Sequence, residues 1–274
     1  MIAGLANYIC STCGVQYKDA QRPPTKCKIC SNDRQYVGWD GQHWTTLNGM
    51  RGEGFKNVIT PIRRGLHQIV TKPSFGIGQR GFLVKTGSGN ILWDCVSYLD
   101  SDTVSTIEGL GGIDCIAISH PHFYSAMVEW SKAFGEVPIY LHHLNREWVQ
   151  RKSPNIVYWK GRARTLLPGA KIINLGGHFA GSGVLHVQGG VFGNGVLLSG
   201  DTIYVVMDRR WVSFMYSFPN HLPLPARKVK EIASQVKQYK FEDIFSGFEG
   251  REIIGGADSA VQSSAGRYIY HLRN

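Results

Sequence analysis

Four cysteines near the start of the chain, Cys10, Cys13, Cys27 and Cys30, are spaced C-x2-C-x13-C-x2-C. A two-residue spacer lets both thiolates of a pair turn onto one tetrahedral ion, and two pairs supply the four sulfurs of a closed site. Gly14 follows the first pair, where a tight turn needs a permissive backbone. The other two cysteines, Cys95 and Cys115, lie in short apolar runs and read as core residues.

A second group can also hold a metal. Ser119-His120-Pro121-His122 closes the apolar run 114–119, and residues i and i+2 beyond a strand share a face, so both imidazoles can turn to one ion. Neutral imidazole is a common ligand for zinc or iron. Alone, such a pair reads equally well as two loop histidines. Two further segments add to it: Gly176-Gly177-His178-Phe179-Ala180-Gly181-Ser182 puts a histidine in a glycine-rich turn, and Leu197-Leu198-Ser199-Gly200-Asp201 ends an apolar run on a carboxylate.

Periodicity supplies the elements that must place these residues. Segments 81–86 and 91–93 flank Gly87-Ser88-Gly89-Asn90 and predict a hairpin. Segment 114–119 predicts a buried strand feeding His120, followed by a helix over 124–134 that Gly135 stops. Strands are expected at 137–141 and 171–175, a second hairpin at 184–187 with 196–198, and a late strand at 241–245. Over 226–240, Val229, Ile232, Val236 and Tyr239 fall on one helical face. Hairpins mixed with helical crossovers suggest a layered α/β sandwich with helices outside.

At this point the chain resembles two known groups. The segment Tyr8-Ile9-Cys10-Ser11-Thr12-Cys13-Gly14 resembles the first knuckle of rubredoxin-like and zinc-ribbon modules; the second knuckle lacks the Pro and Gly usual in rubredoxins, which favours zinc. From about Ile62 to Gly250 the chain resembles the metallo-β-lactamase superfamily, whose pattern is a strand ending in H-x-H-x-D-H, a histidine in a G-G-H-T-x-G-S turn, then G-D. Phe82-Leu83-Val84-Lys85-Thr86 and Asn90-Ile91-Leu92-Trp93-Asp94 look like that family's opening hairpin and strand-end aspartate. The resemblance implies a four-layer αββα metallo-β-lactamase sandwich over residues 51–274, preceded by a four-cysteine zinc-ribbon or rubredoxin-like module over residues 1–50. It implies zinc at the four-cysteine site and zinc or iron held by His120, His122, His178 and Asp201. Asp94 is expected to orient a ligand histidine or cap a turn.

The departures bear on chemistry. Tyr124-Ser125 stands where the family has Asp-His, and Phe245-Ser246-Gly247-Phe248 where members often place a Gly-His turn. The second metal therefore lacks its ligands apart from Asp201, and one ion is expected. Tyr124 is read either as a proton or hydrogen-bond donor to substrate or as a residue packed at a helix start; a phenol of ordinary pKa about 10 is a poor base at neutral pH. His221, on the Pro-rich segment after Asp201, is read either as a ligand or general base or as a surface residue. At most one of His142 and His143 points inward.

The resemblance implies a metal-dependent hydrolase, with small esters, thioesters or lactones as the expected substrates and Asp201, Tyr124 and His221 as the catalytic candidates. The alternatives are a mononuclear non-haem iron redox enzyme resembling persulfide dioxygenases, and a non-catalytic metal-binding protein. The net charge of +10, with seven basic residues against Glu147 over 146–171, suits an anionic small molecule or simply a solvated face. No arginine-rich tail or aromatic-interleaved basic run points to nucleic acid, and no apolar run is long enough to span a membrane. The first residues lack the basic stretch and long apolar run of a signal peptide, so the expected location is cytoplasmic, where free or metal-bound thiols are the rule.

Overall fold

The computed structural model describes residues 4–274. Strands β1 (Ala6–Cys10), β2 (Gln16–Ala20) and β3 (Trp44–Thr45) form a small antiparallel sheet in the order β2-β1-β3. Helix α1 (Leu47–Gly52) follows, its first turn capped by the Thr46 hydroxyl, which accepts from Gly49 N–H at 3.1 Å.

Two large sheets come next. The first has seven strands, β4 (Lys56–Arg63), β5 (Leu66–Lys72), β6 (Arg80–Thr86), β7 (Gly89–Trp93), β8 (Cys115–Ala117), β9 (Ile139–His142) and β10 (Ile156–Trp159), paired in sequence order. Helices α2 (Ser101–Gly109) and α3 (Met127–Ala133) are inserted along it. The second sheet joins β11 (Ala163–Leu167), β12 (Ala170–Asn174), β13 (Gly183–Val187) and β14 (Val196–Gly200) to two later strands. Between β14 and those strands run β15 (Tyr204–Val205), β16 (Val212–Ser213), β17 (Met215–Ser217), β18 (Leu222–Pro223) and helix α4 (Ala226–Val236). Strands β19 (Asp243–Ser246) and β20 (Glu252–Ile253) complete the sheet, and α5 (Ala257–His271) ends the chain.

Period-two alternation sorts these strands into faces. Phe82, Val84, Ile91 and Trp93 from the first sheet meet Ile172, Leu185, Val187, Val196, Leu198 and Phe245 from the second in one buried cluster. The intervening residues point outward. Leu83 and Leu92 join the cluster that includes Ile107 and Trp130 of α2 and α3; Ile173, Val184 and Leu197 join the one beneath α4 and α5. This is the four-layer αββα sandwich of the metallo-β-lactamase fold.

Both expected hairpins form, as β6–β7 and β13–β14. The helix expected over 124–134 starts later, at Met127, because a tight turn over Pro121–Phe123 and a left-handed backbone at Ser125 (φ 42°) intervene. The helix expected over 226–240 ends at Val236, with Val229, Ile232 and Val236 buried as the pattern required. Helix α5 is an addition to the expected elements; Ala257, Val261 and Ala265 lie on one face of it, but small residues give only a faint periodic signal.

The four cysteines are not packed by themselves. All are buried, and they share a cluster with Val15, Ile29, Cys95, Val96 and Tyr124. The Ser97 hydroxyl donates to Gly14 O at 2.9 Å and Gln16 N–H to Ser125 O at 3.0 Å, which ties the small sheet to the seven-stranded one.

Arg80 fastens the two large sheets to each other. Its buried guanidinium leaves β6 and donates to Ser246 O at 3.1 Å and to the Glu252 carboxylate at 3.0 Å, both on the second sheet. Removing one partner of a buried pair strands the other, so Arg80→Leu is expected to destabilise the fold by about 3 kcal/mol. Urea unfolding midpoints of the two proteins check this.

Candidate metal centre

Each ligand candidate stands where a strand of the sandwich gives out. His120 and His122 follow β8, His178 follows β12, and Asp201 follows β14. All four side chains are buried, and their ligand atoms lie within 4.8 Å of one another. His122 Nδ1 and His178 Nε2 are 3.2 Å apart; Asp201 Oδ2 is 3.5 Å from His120 Nε2 and 3.9 Å from His178 Nε2. Ligands at about 2.0–2.1 Å on a tetrahedral ion are separated by about 3.3 Å, so the cradle has the size of a zinc or iron site.

The unmet polar atoms support the fit. His120 Nε2, His122 Nε2 and Asp201 Oδ1 are buried with no hydrogen-bond partner among the described residues. Burying such atoms without partners is costly, and a cation among the ligands would take up the lone pair of His120 Nε2, which Asp201 Oδ2 also faces at 3.5 Å. Burial drives His178 down to about 3, with His120 adding to the effect, and drives His122 well below the ordinary imidazole range. Both rings are therefore neutral at pH 7, the form that ligates.

Outer contacts aim the rings. His120 Nδ1 pairs with the Ser119 hydroxyl at 2.9 Å, and His178 Nδ1 donates to Met215 O at 3.2 Å, turning each Nε2 inward. Asp94 fills the role expected of it one step removed: its Oδ1 accepts from Ser119 N–H at 2.7 Å and so holds the strand end that carries His120. Burial lifts its carboxyl to about 8 despite that bond. Gly200 is needed for close approach, since its backbone is left-handed (φ 52°) and a Cβ there would sit 2.5 Å from the Ser119 hydroxyl.

Other candidates lie elsewhere. The Tyr124 hydroxyl donates to Asn145 O at 3.3 Å, and burial pushes its pKa well up, so the structure places it in packing between β8 and the cysteine module. His221 sits exposed in a left-handed turn (φ 53°), outside the ligand cluster. His142 is buried and committed to Gly161 O and Leu144 N–H. Phe248, at the position of the family's later histidine, packs 6.1 Å from Phe123 and 5.9 Å from Tyr204, ring centre to ring centre. With Phe179 and Phe218 these rings wall the centre. Ser119 and Met215 could have been suspected from their neighbours; the aromatic wall follows no spacing rule.

The cysteine quartet forms the other ligand group. Cys10 and Cys30 Sγ are 3.6 Å apart, as are Cys13 and Cys27 Sγ. Metal–sulfur bonds of about 2.3 Å on a tetrahedron give about 3.8 Å. Hydrogen bonds from Cys13, Cys27 and Cys30 hold Cys10 far below the thiol range, while burial drives Cys13 far above it. Tyr17 OH and Gln42 Nε2 donate to Cys27 and Cys10 sulfurs at 3.3 and 3.2 Å, as donors around a thiolate site do.

Solved proteins share this fold. Solved metallo-β-lactamases superpose on the chain: FIM-1 from Pseudomonas aeruginosa, in its mono-zinc form, with a TM-score of 0.55 at 14% identity over 78% of this chain and 96% of that one. The enzyme from Pontibacter korlensis gives 0.54 at 14% identity, covering 80% of this chain and 100% of its own, and VMB-1 gives 0.59 at 12% identity over 80% and 99%. The fold is that of the metallo-β-lactamases, with a four-cysteine cluster consistent with a zinc ribbon added before it. No protein-family model matches the chain. Within that fold the chain belongs to the family of YmaE, an uncharacterized protein of Bacillus subtilis (strain 168), with which it is 48% identical over 268 residues covering 97% of both.

Two outcomes are expected. Cys10→Ser should release one metal equivalent per chain, read by elemental analysis. Ser119→Ala should weaken metal binding at the His/Asp centre by about tenfold, the usual loss for an outer-contact deletion, as measured by competition with a chelator.

Proposed function

We propose that this chain is a single-metal hydrolase acting on a small ester, thioester or lactone. The observation that carries the reading is the buried His120, His122, His178 and Asp201 cradle, in which only Asp201 remains of the family's second-site ligands. In this reading residues 1–50 are the four-cysteine module and residues 51–274 the metallo-β-lactamase-like domain. Zinc fills the four-cysteine site, zinc or iron fills the other, and the protein works in the cytoplasm. Among the described residues no helix is long and apolar enough to cross a membrane.

A bound zinc or iron supplies a Lewis acid, polarising a substrate oxygen and lowering the pKa of water beside it. The chain's own part is orientation and proton handling. His120 and His178 are locked by Ser119 and Met215, so the donor set is preorganised. Asp201 turns Oδ2 toward His120 and leaves Oδ1 buried and unpaired, the acceptor available for a proton given up by attacking water. Tyr204, Phe218 and Phe248, half-buried around the centre, exclude bulk water and offer apolar contact to an acyl chain. This lining favours a compact, largely apolar substrate over a phosphodiester.

His178→Ala should weaken metal binding and lower turnover by orders of magnitude. Asp201→Asn should cost less in binding and more in turnover, because it keeps an oxygen but removes the charge that accepts a proton. Thioester, lactone and phosphoester panels tested on zinc- and iron-loaded protein check both. Equal activity of wild type and His178→Ala on every substrate turned over would rule the centre out as the catalyst.

A further inference from the structure

The turn after the second cysteine pair reaches the metal centre. Cys30 is followed four residues on by Arg34. The turn is tightly wound: Ser31 N–H donates to Cys27 O at 2.9 Å, Asn32 N–H to Ile29 O at 3.2 Å, and Gln35 N–H to Asn32 O at 3.0 Å. From it the Arg34 side chain crosses to the sandwich, where Nε donates to the backbone oxygen of His178. The guanidinium lies over the rings of Tyr216 (4.0 Å) and Phe179 (4.7 Å), the residue after the ligand.

The same turn is held by the segment that orients His178 from the other side. Ser217 Oγ donates to Arg34 O at 3.0 Å, Tyr216 OH to the Asp33 carboxylate at 2.9 Å, and Asn220 Nδ2 to Asp33 O at 2.9 Å and Gln35 O at 3.2 Å. Met215, one residue before Tyr216, is the residue whose carbonyl fixes His178 Nδ1. His178 is thus gripped through its backbone by Arg34 and through its ring by a strand that the cysteine turn anchors. Among the described residues, the other polar partners of the Arg34 guanidinium are Asn32 Oδ1 at 3.0 Å and Asp33 Oδ1 at 3.8 Å.

We propose that Arg34 is a positioning residue for the His/Asp metal centre, carried there by the second cysteine knuckle, so that filling the four-cysteine site sets the affinity of the His/Asp site for its own metal. The proposal rests on the centre binding a metal and not on the reaction proposed above. It gives the cysteine module a task beyond stapling its own fold: a glycine-rich turn such as 176–182 has little stiffness, and the module supplies it from outside.

Electrostatics makes the test sharp, because it opposes positioning in sign. Arg34 brings a positive charge to the backbone of His178 and over the ring of Phe179, beside the ligand cluster. Charge alone therefore disfavours a dication, and removing it should tighten metal binding. Loss of positioning should weaken it, by about ten- to a hundredfold on the scale of outer-contact deletions.

The experiment uses the full chain reconstituted with cobalt(II). Thiolate-to-cobalt charge-transfer bands report the four-cysteine site and weak ligand-field bands the His/Asp site, and increasing chelator gives the affinity of the latter. Arg34→Ala is expected to keep the charge-transfer intensity and the circular dichroism of the fold while losing about ten- to a hundredfold in His/Asp affinity. Arg34→Lys, which keeps a donor able to reach His178 O, is expected to recover part of that loss. Cys30→Ser is expected to lower the charge-transfer bands and the His/Asp affinity together. Unchanged or tighter binding in folded Arg34→Ala with a filled four-cysteine site overturns the proposal, and so does an Arg34→Lys no better than Ala. Should Cys30→Ser fail to fold, the two Arg34 variants still decide. A wild-type chain that takes cobalt only at the cysteines overturns the metal centre itself, a different result from wild-type-like binding in Arg34→Ala.

Discussion

Three imidazoles and a carboxylate cannot share a dry pocket with their lone pairs converging unless something positive lies among them. That constraint organises the rest of the molecule. The ligands must arrive from separate directions, and an αββα sandwich provides this at one edge, where β8, β12 and β14 all end. The strands are rigid because both large sheets are buried on the face between them. The loops that leave them need only short reach, and outer contacts such as Ser119 to His120 and Met215 to His178 complete their aim.

Burial strengthens the site and narrows its chemistry. The low dielectric that keeps His122 and His178 neutral also strengthens any charge interaction made there. The wall of Phe123, Phe179, Phe218, Tyr204 and Phe248 leaves Asp201 as the carboxylate of the cluster. In the metallo-β-lactamase pattern that the sequence resembles, further metal donors stand at the positions of Tyr124, Ser125 and Phe248. Tyr124 is committed to Asn145 O, Ser125 Oγ accepts from Gln79 at 2.7 Å, and Phe248 offers no lone pair.

The four-cysteine module is built into this arrangement and is more than an appendage. Its sulfurs pack in the cluster that holds the outer face of the seven-stranded sheet, Gly14 nests against Ser97, and Arg34 reaches the loop of His178. A small sheet of three short strands has little core of its own, and sharing one with a larger neighbour is a direct way to become ordered.

Much of this is legible in the residues themselves. Thiolate spacing follows from the reach of a two-residue turn, so the four-cysteine site can be read locally. Period-two runs mark β6, β7, β13 and β14, because alternation is a local consequence of burying one face against a core. His120, His122, His178 and Asp201 are legible as strand-end donors, helped by the resemblance of their surroundings to a known pattern. What tertiary structure alone decided was which neighbours these residues meet. The phenol of Tyr124 could have faced the metal or the core, and the carbonyl of Asn145, 21 positions away, settled it. Arg34 reads as one more basic residue in a chain of charge +10, yet it lies beside a histidine 144 positions later. Contacts over such separations depend on how whole sheets and loops pack, and no local periodicity or spacing encodes them.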